Sequence, residues 1–232
     1  MKSFSFGGVF LAALVTCGAA GAAEKRETRA VQGFATLEVS APVKLDLRLG
    51  EAEAVVVEGD ESALRDLETF VSRETLGIRT KPGYKAVWTS PVRVFVTAKS
   101  IEGLVMTGSG EISSPSLRTE KLSIKATGSG AVRIATLSSS YVSVALSGSG
   151  DVALGGITNS VDASVSGSGS LKADKLEARR AKIFVSGSGD AALFPREQLE
   201  AAIAGSGSVR YRGDPAVKKT ISGSGSLRRL GA

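Results

Sequence analysis

Carboxylates, hydroxyls and cations recur in this 232-residue chain at a spacing on which chemistry could be built. All are keyed to one tripeptide, Gly-Ser-Gly, at 108–110, 128–130, 148–150, 167–169, 187–189, 205–207 and 223–225. Asp151 and Asp190 each follow a triplet directly, two repeats apart. A carboxylate pair hydrolyses glycosidic bonds at separations of about 5 Å for retention or about 6.5–9.5 Å for inversion. Equivalent positions two stacked strands apart lie ~9.6 Å from one another, so a polysaccharide-active enzyme is the catalytic alternative. Against it, Ser170 stands between the two acids in the repeat series. Only Glu111, Asp151 and Asp190 carry an acid there, while Ala131, Ser170, Ser208 and Ser226 do not. The same gaps count against calcium, since calcium-binding β-rolls need an Asp-containing repeat of about nine residues. The chain has no histidine, which removes the commonest base for activating a serine nucleophile. The expectation is a non-enzymatic protein with no catalytic residue, metal ligand or cofactor.

Two further motifs read as structure. "GSGDVA" at 148–153 fits a dinucleotide fingerprint on paper, but that motif needs a helix after it to meet the pyrophosphate, and a strand pattern follows. Arg212-Gly213-Asp214 precedes Pro215 and is composed of ordinary turn residues.

The hydroxyls are the better candidates for function. Ser109, Ser129, Ser149, Ser168, Ser188, Ser206 and Ser224 are the central triplet residues. If successive repeats stack, they stand in one row. Thr107, Thr127, Ser147, Ser166, Ser186 and Ser222 form a second row, interrupted by Ala204. Such an array could hydrogen-bond a glycan, or it could simply suit a crowded solvated corner. Arg133, Lys172, Arg210 and Arg228 recur five residues after a first glycine and make an intermittent basic stripe.

The positioning elements follow from the same periodicity. Triplets succeed one another at intervals of 20, 20, 19, 20, 18 and 18 residues. Two residues before each first glycine stand Met106, Ala126, Leu146, Val165, Val185, Ile203 and Ile221. Two residues after each second glycine stand Ile112, Val132, Val152, Leu171, Ala191, Val209 and Leu227. Four residues before the triplet, Leu104, Ile124, Val144, Ala163, Ile183 and Ala201 continue the pattern and Lys219 breaks it. Leu117, Leu137, Ile157 and Leu176, nine residues after the first glycine, suggest another inward wall. Alternation of this kind marks half-buried strands, and a period near twenty marks one supersecondary unit per repeat. The fold class is therefore all-β: a parallel β-helix-like solenoid with ~20-residue GSG coils and a β-rich N-terminal section. By parity both glycines should take core-facing slots and the serine an outward one. A flexible linker is excluded, because linkers have no flanking apolar register.

Three regions result: 1–23 a leader, 24–100 the N-terminal section, continuous with or capping the solenoid, and 101–232 seven GSG coils. Within 24–100, "VKLDLRL" (43–49), "AVVVE", "LGIRTK" and "VRVFVT" read as strands. Asp60 before "ESALRDL" reads as a helix cap, and Lys81-Pro82-Gly83 as a turn. Lys2, the apolar "FSFGGVFLAALV" and the small "CGAAGAA" have the layout of a secretory signal peptide, too short to remain as a bilayer span. Cys17 offers a lipoprotein alternative, weakened by Thr16 before it. The formal charge is +6, or +5 without the leader, whose one charge is Lys2. With 5% aromatics there is little for single-stranded nucleic acid to stack on.

The "SGSGD" units at 147–151 and 186–190, the "YRGDP" at 211–215 and the closing "SGSG" resemble the bacterial putative auto-transporter adhesin, head GIN domain family. The resemblance spans about residues 30–230. It implies an extracytoplasmic β-helix-like domain with adhesion or surface association and no assigned catalysis. The expectation is a periplasmic or cell-surface module with an adhesin-like or structural role, and the hydroxyl rows suggest a glycan or envelope component as its partner. The strands are unlike a membrane β-barrel, which needs ~10-residue strands with lipid-facing aromatics.

Overall fold

The computed structural model describes residues 25–85, 88 and 90–231. The leader and Cys17 lie outside the described residues. Among the described residues, eight strands and one short helix precede the long coils: β1 Lys25–Arg29, β2 Thr36–Val39, β3 Lys44–Leu49, β4 Ala54–Gly59, α1 Glu61–Asp66, β5 Leu67–Ser72, β6 Thr75–Thr80, β7 Arg93–Ala98 and β8 Gly103–Met106. Five long strands follow, each running from one triplet to the next: β9 Glu111–Gly128, β10 Ala131–Gly148, β11 Asp151–Gly167, β12 Ser170–Gly187 and β13 Asp190–Gly205. Short β14 Ser208–Tyr211, β15 Ala216–Ser222 and β16 Ser226–Arg229 end the stack. All of β9–β16 pair in parallel, giving a β-solenoid of about six turns.

The apolar columns read from the repeat become the core. Ile112, Val132, Val152, Leu171, Ala191 and Val209 line one wall, and Met106, Ala126, Leu146, Val165, Val185 and Ile203 another, each at most 2% exposed. Pairing register keeps each column in line: Leu146 lies beside both Ala126 and Val165. No single coil could bury these side chains alone, so the core exists only as a stack. A third column, Leu122, Val142, Val161, Ala181 and Leu199, closes the interior. At one bend the hydroxyls of Thr119, Ser139 and Thr158 donate to carbonyls two residues onward, at 3.1, 2.9 and 3.3 Å. These local side-chain-to-backbone bonds recur at the same level of three successive coils.

One inward assignment fails. Leu117, Leu137 and Leu176 are buried, but Ile157 is 67% exposed. The 19-residue interval before Gly167 places the missing residue on this side of the coil, so Gly156 pairs with Leu137 and Leu176 in the core slot. Gly156 has φ +114°, and a Cβ there would lie 2.0 Å from the Leu137 carbonyl oxygen. A deletion before a strand position shifts every later side chain to the opposite face, and Ile157 is turned out to solvent.

The N-terminal section builds further layers out of chain order. β2 lies between β6 and β8, and β3 between β7 and β9, all parallel. Hence β2–β3 is itself a coil. Val39 sits beside Met106 and Lys44 beside Glu111, so Ala41-Pro42-Val43 occupies the place of a triplet without any glycine. β4 and β5 then run antiparallel over β7 and β6, and β1 over β4, covering this end. Asp60 Oδ1 accepts from the Ala63 N–H at 2.8 Å, the expected cap of α1.

On an outer face, Tyr141 Oη donates to Asp162 Oδ2 at 2.9 Å. The carboxylate holds the phenol proton, and with some desolvation raises Tyr141 above its ordinary pKa. The contribution to stability is therefore present in full below the unfolded tyrosine value of about 10 and lost as pH rises through the folded value. Spectrophotometric titration should show one tyrosine ionising above the ordinary range, and Asp162→Asn should bring it down.

Candidate functional site

The triplet corner is built by stacking backbone on backbone. The second glycines, Gly110, Gly130, Gly150, Gly169, Gly189 and Gly207, are buried as parity requires. The first glycines are not core-facing. Gly128, Gly148, Gly167, Gly187, Gly205 and Gly223 have φ between +100° and +121°. Their absent Cβ atoms point along the stack: at Gly148 it would lie 2.6 Å from the carbonyl oxygen of Gly128 in the neighbouring coil. The simple in–out alternation fails because a tight corner rotates the chain out of pleat.

All seven central serines are exposed. Among the described residues none of their hydroxyls bonds to protein, while the backbone N–H of Ser149, Ser168 and Ser188 donates to the neighbouring coil's first glycine at 2.9, 3.0 and 3.0 Å. The second row also falls into register, with Ser147 beside Thr127 and Ser166, and Ser186 beside Ser166 and Ala204. Thr107 Oγ1 meets Ser40 Oγ at 2.9 Å, extending the row onto the β2–β3 coil.

The face that begins at this corner holds a groove the repeat pattern does not announce. It encloses about 720 Å³ across the coils β3, β9, β10, β11 and β12. Its floor consists of Ser113, Pro115, Ile134, Ala135, Ala153, Leu154 and Gly155, and its rim carries Arg48, Arg133, Lys172 and Lys175 with Asp46 and Asp174. The hollow exists because outward positions that are long on other coils are small on three adjacent ones. Register shifts between Ile134 and Leu137 and between Ala153 and Gly155 bow the strands at the same level.

The predicted basic stripe is exposed throughout, but half of it is engaged. Arg133 pairs with Glu111, and Lys172 with Asp151 at 3.2 Å. Arg48 and Lys175 are the rim cations with no ion pair among the described residues, while Glu111 and Asp151 balance the other two. Asp46 accepts from the Ser113 hydroxyl at 2.8 Å. The carboxylates weighed for hydrolysis are also occupied: Asp151 by Lys172, and Asp190 by the Ser208 hydroxyl. No cluster of three or more potential metal ligands occurs among the described residues, and no helix there is long and apolar enough to cross a membrane. Arg212 and Asp214 reach Asp174 and Arg229 at 3.8 and 2.9 Å, so the Arg-Gly-Asp charges bridge to neighbouring coils.

A parallel β-solenoid closed at one end by antiparallel strands, with glycine corners and one grooved face, defines the structural class. Residues 33–215 match the family model described as putative auto-transporter adhesin, head GIN domain, and the chain belongs to that family. Its fold is shared with a crystal structure described as a putative adhesin from Bacteroides fragilis, at TM-score 0.85 and 22% identity over 90% of this chain and 97% of that one. A putative lipid binding protein from Parabacteroides distasonis superposes at TM-score 0.73 and 23% identity, covering 90% and 97%. A putative adhesin from Parabacteroides merdae does so at 0.70 and 19%, covering 90% and 96%. At these identities the likeness is one of fold. No curated protein sequence matches the chain.

Proposed function

We propose that this protein is a non-enzymatic, extracytoplasmic binding module of adhesin type, and that it takes an acidic glycan of an envelope or cell surface on its grooved face. The groove carries the reading: small apolar and hydroxyl-bearing floor residues flanked by Arg48, Arg133, Lys172 and Lys175. A concave site with an apolar floor and a few convergent polar groups is the usual form of a ligand site. Arg48 and Lys175, the two rim cations without an ion pair among the described residues, favour an anionic ligand and speed its capture. The seven free serine hydroxyls border the same face and offer further hydrogen bonds along the stack. The signal-like leader and the family's adhesin designation support the location. The neighbour described as lipid binding makes an anionic lipid the natural competitor to include.

The test is binding of the full chain to polygalacturonate, to neutral dextran and to vesicles containing phosphatidylglycerol. Polygalacturonate should bind and dextran should not, with affinity falling as salt rises. Arg48→Glu with Lys175→Glu, and separately Ala135→Trp to fill the groove, should each weaken binding about tenfold, roughly 1.4 kcal/mol. Ser149→Tyr or Ser168→Tyr should weaken it only if the serine row shares the ligand. Equal binding by the groove variants, or a preference for vesicles alone, defeats the acidic-glycan reading. Release of reducing ends that disappears in Asp151→Asn or Asp190→Asn would establish the enzyme instead.

A further inference from the structure

The two ends of the stack differ. Antiparallel strands cover the N-terminal layers, but among the described residues β15 pairs only with β13 and β16 only with β14. The outer edge of the last coil therefore presents backbone N–H and C=O groups to solvent. All seven residues of β15 are exposed. Val217 and Ile221 are 40% and 39% exposed, although their register partners Leu199 and Ile203 are 1% and 2% exposed. What they lack is a cover one strand thick.

Between them, on the same side of the strand, stands Lys219 beside buried Ala201. It is the one cation in a column otherwise made of Leu104, Ile124, Val144, Ala163, Ile183 and Ala201. Lys219 has no ion pair among the described residues, whereas its neighbour Lys218 reaches Glu200 at 3.6 Å. Across 208–231 there are six cations and one acid, Asp214, a net charge of +5. A lysine in a core-facing slot at an open edge is a known guard against association. It is also a specificity element, because an added strand must place an acid against it or leave a covered charge unpaired.

A second copy of this chain does not meet that requirement. Two such ends meeting antiparallel about Lys219 would oppose lysine to lysine and add one +5 end to another. At the other end, the acids of the edge strands β1 and β5, Glu27 and Glu68, are taken by Arg29 and Arg79 at 3.0 and 2.7 Å. We propose that the edge of β15 receives an extended acidic segment of a partner protein as the next strand of the solenoid. Its inward pattern is apolar–x–acid–x–apolar, the apolar residues covering Val217 and Ile221 and the acid meeting Lys219. Main-chain bonds supply affinity and the alternate side chains supply selectivity, as in other strand-addition complexes.

The experiment uses fluorescence anisotropy of a labelled peptide, Thr-Val-Thr-Glu-Thr-Val-Thr, titrated with the full chain. Saturable binding is expected, weakened on the order of 30-fold when the peptide Glu becomes Gln or when the protein carries Lys219→Gln. Lys219→Glu should lose the Glu peptide and gain its Lys counterpart, a swap that also shows the variant to be folded. Replacing the two threonines beside the Glu by proline should abolish binding, because proline cannot donate to the ladder. Absence of saturable binding at millimolar protein, or binding indifferent to Lys219, overturns the proposal. So does sedimentation showing that the unmodified chain self-associates through this end. Polygalacturonate binding at the groove is unaffected by these variants, so the two readings fail separately.

Discussion

Gly148→Ala is expected to destabilise the protein by about 3–5 kcal/mol, a large part of the 5–15 kcal/mol typical of a folded domain. Two costs add. The residue is held at φ +109°, a region nearly closed to residues with a Cβ and worth about 1–3 kcal/mol of strain. The new methyl would also lie 2.6 Å from the Gly128 carbonyl oxygen and 3.0 Å from its nitrogen. Both atoms are backbone in a paired coil, so relief requires the stack itself to open. Gly33→Ala, at φ +77° with nothing within 4 Å, isolates the first cost and should lose no more than about 1–2 kcal/mol. Ser149→Ala, an exposed change on the adjacent residue, should fall within about 0.5 kcal/mol of the parent. Guanidinium unfolding of the three variants separates the costs. A Gly148→Ala midpoint close to that of Gly33→Ala would mean that the corners do not stack in contact.

Leu146→Ala should cost about 2–5 kcal/mol. Leu146 is 1% exposed and lies between Ala126 and Val165 in its column, so neighbouring coils fix the space it leaves. The surroundings are also tight, its Cδ2 lying 2.9 Å from where a Cβ on Gly169 would be. The same column supplies a control. Ile221→Ala removes the same three carbons from a like position, yet at 39% exposure it should cost only about 1–2 kcal/mol, because part of the side chain stays in water and no enclosed cavity is left. Denaturant midpoints with unchanged slopes would establish the difference. Similar losses at both positions would mean that the last coil is already covered in solution, by self-association or by a bound strand. That outcome bears directly on the open edge of β15.

The sequence by itself determined the coil. Apolar columns, the register of the serine rows and the outward cations are properties of period two and period twenty, both local counts along the chain, and the helix cap at Asp60 is a local motif. The odd lysine at 219 was likewise legible as a break in a column. Tertiary structure alone decided the rest. That β2–β3 inserts between β6–β7 and β8–β9 depends on pairings between strands remote in sequence, which no local pattern encodes. Ile157 faces solvent because a single missing residue was absorbed before it, and an interval of 19 does not say where. The first glycines turn toward the neighbouring coil because the corner leaves the pleat that parity assumes. The groove depends on small residues from separate coils lying at one height beside two register shifts, so it takes shape only when those coils are stacked.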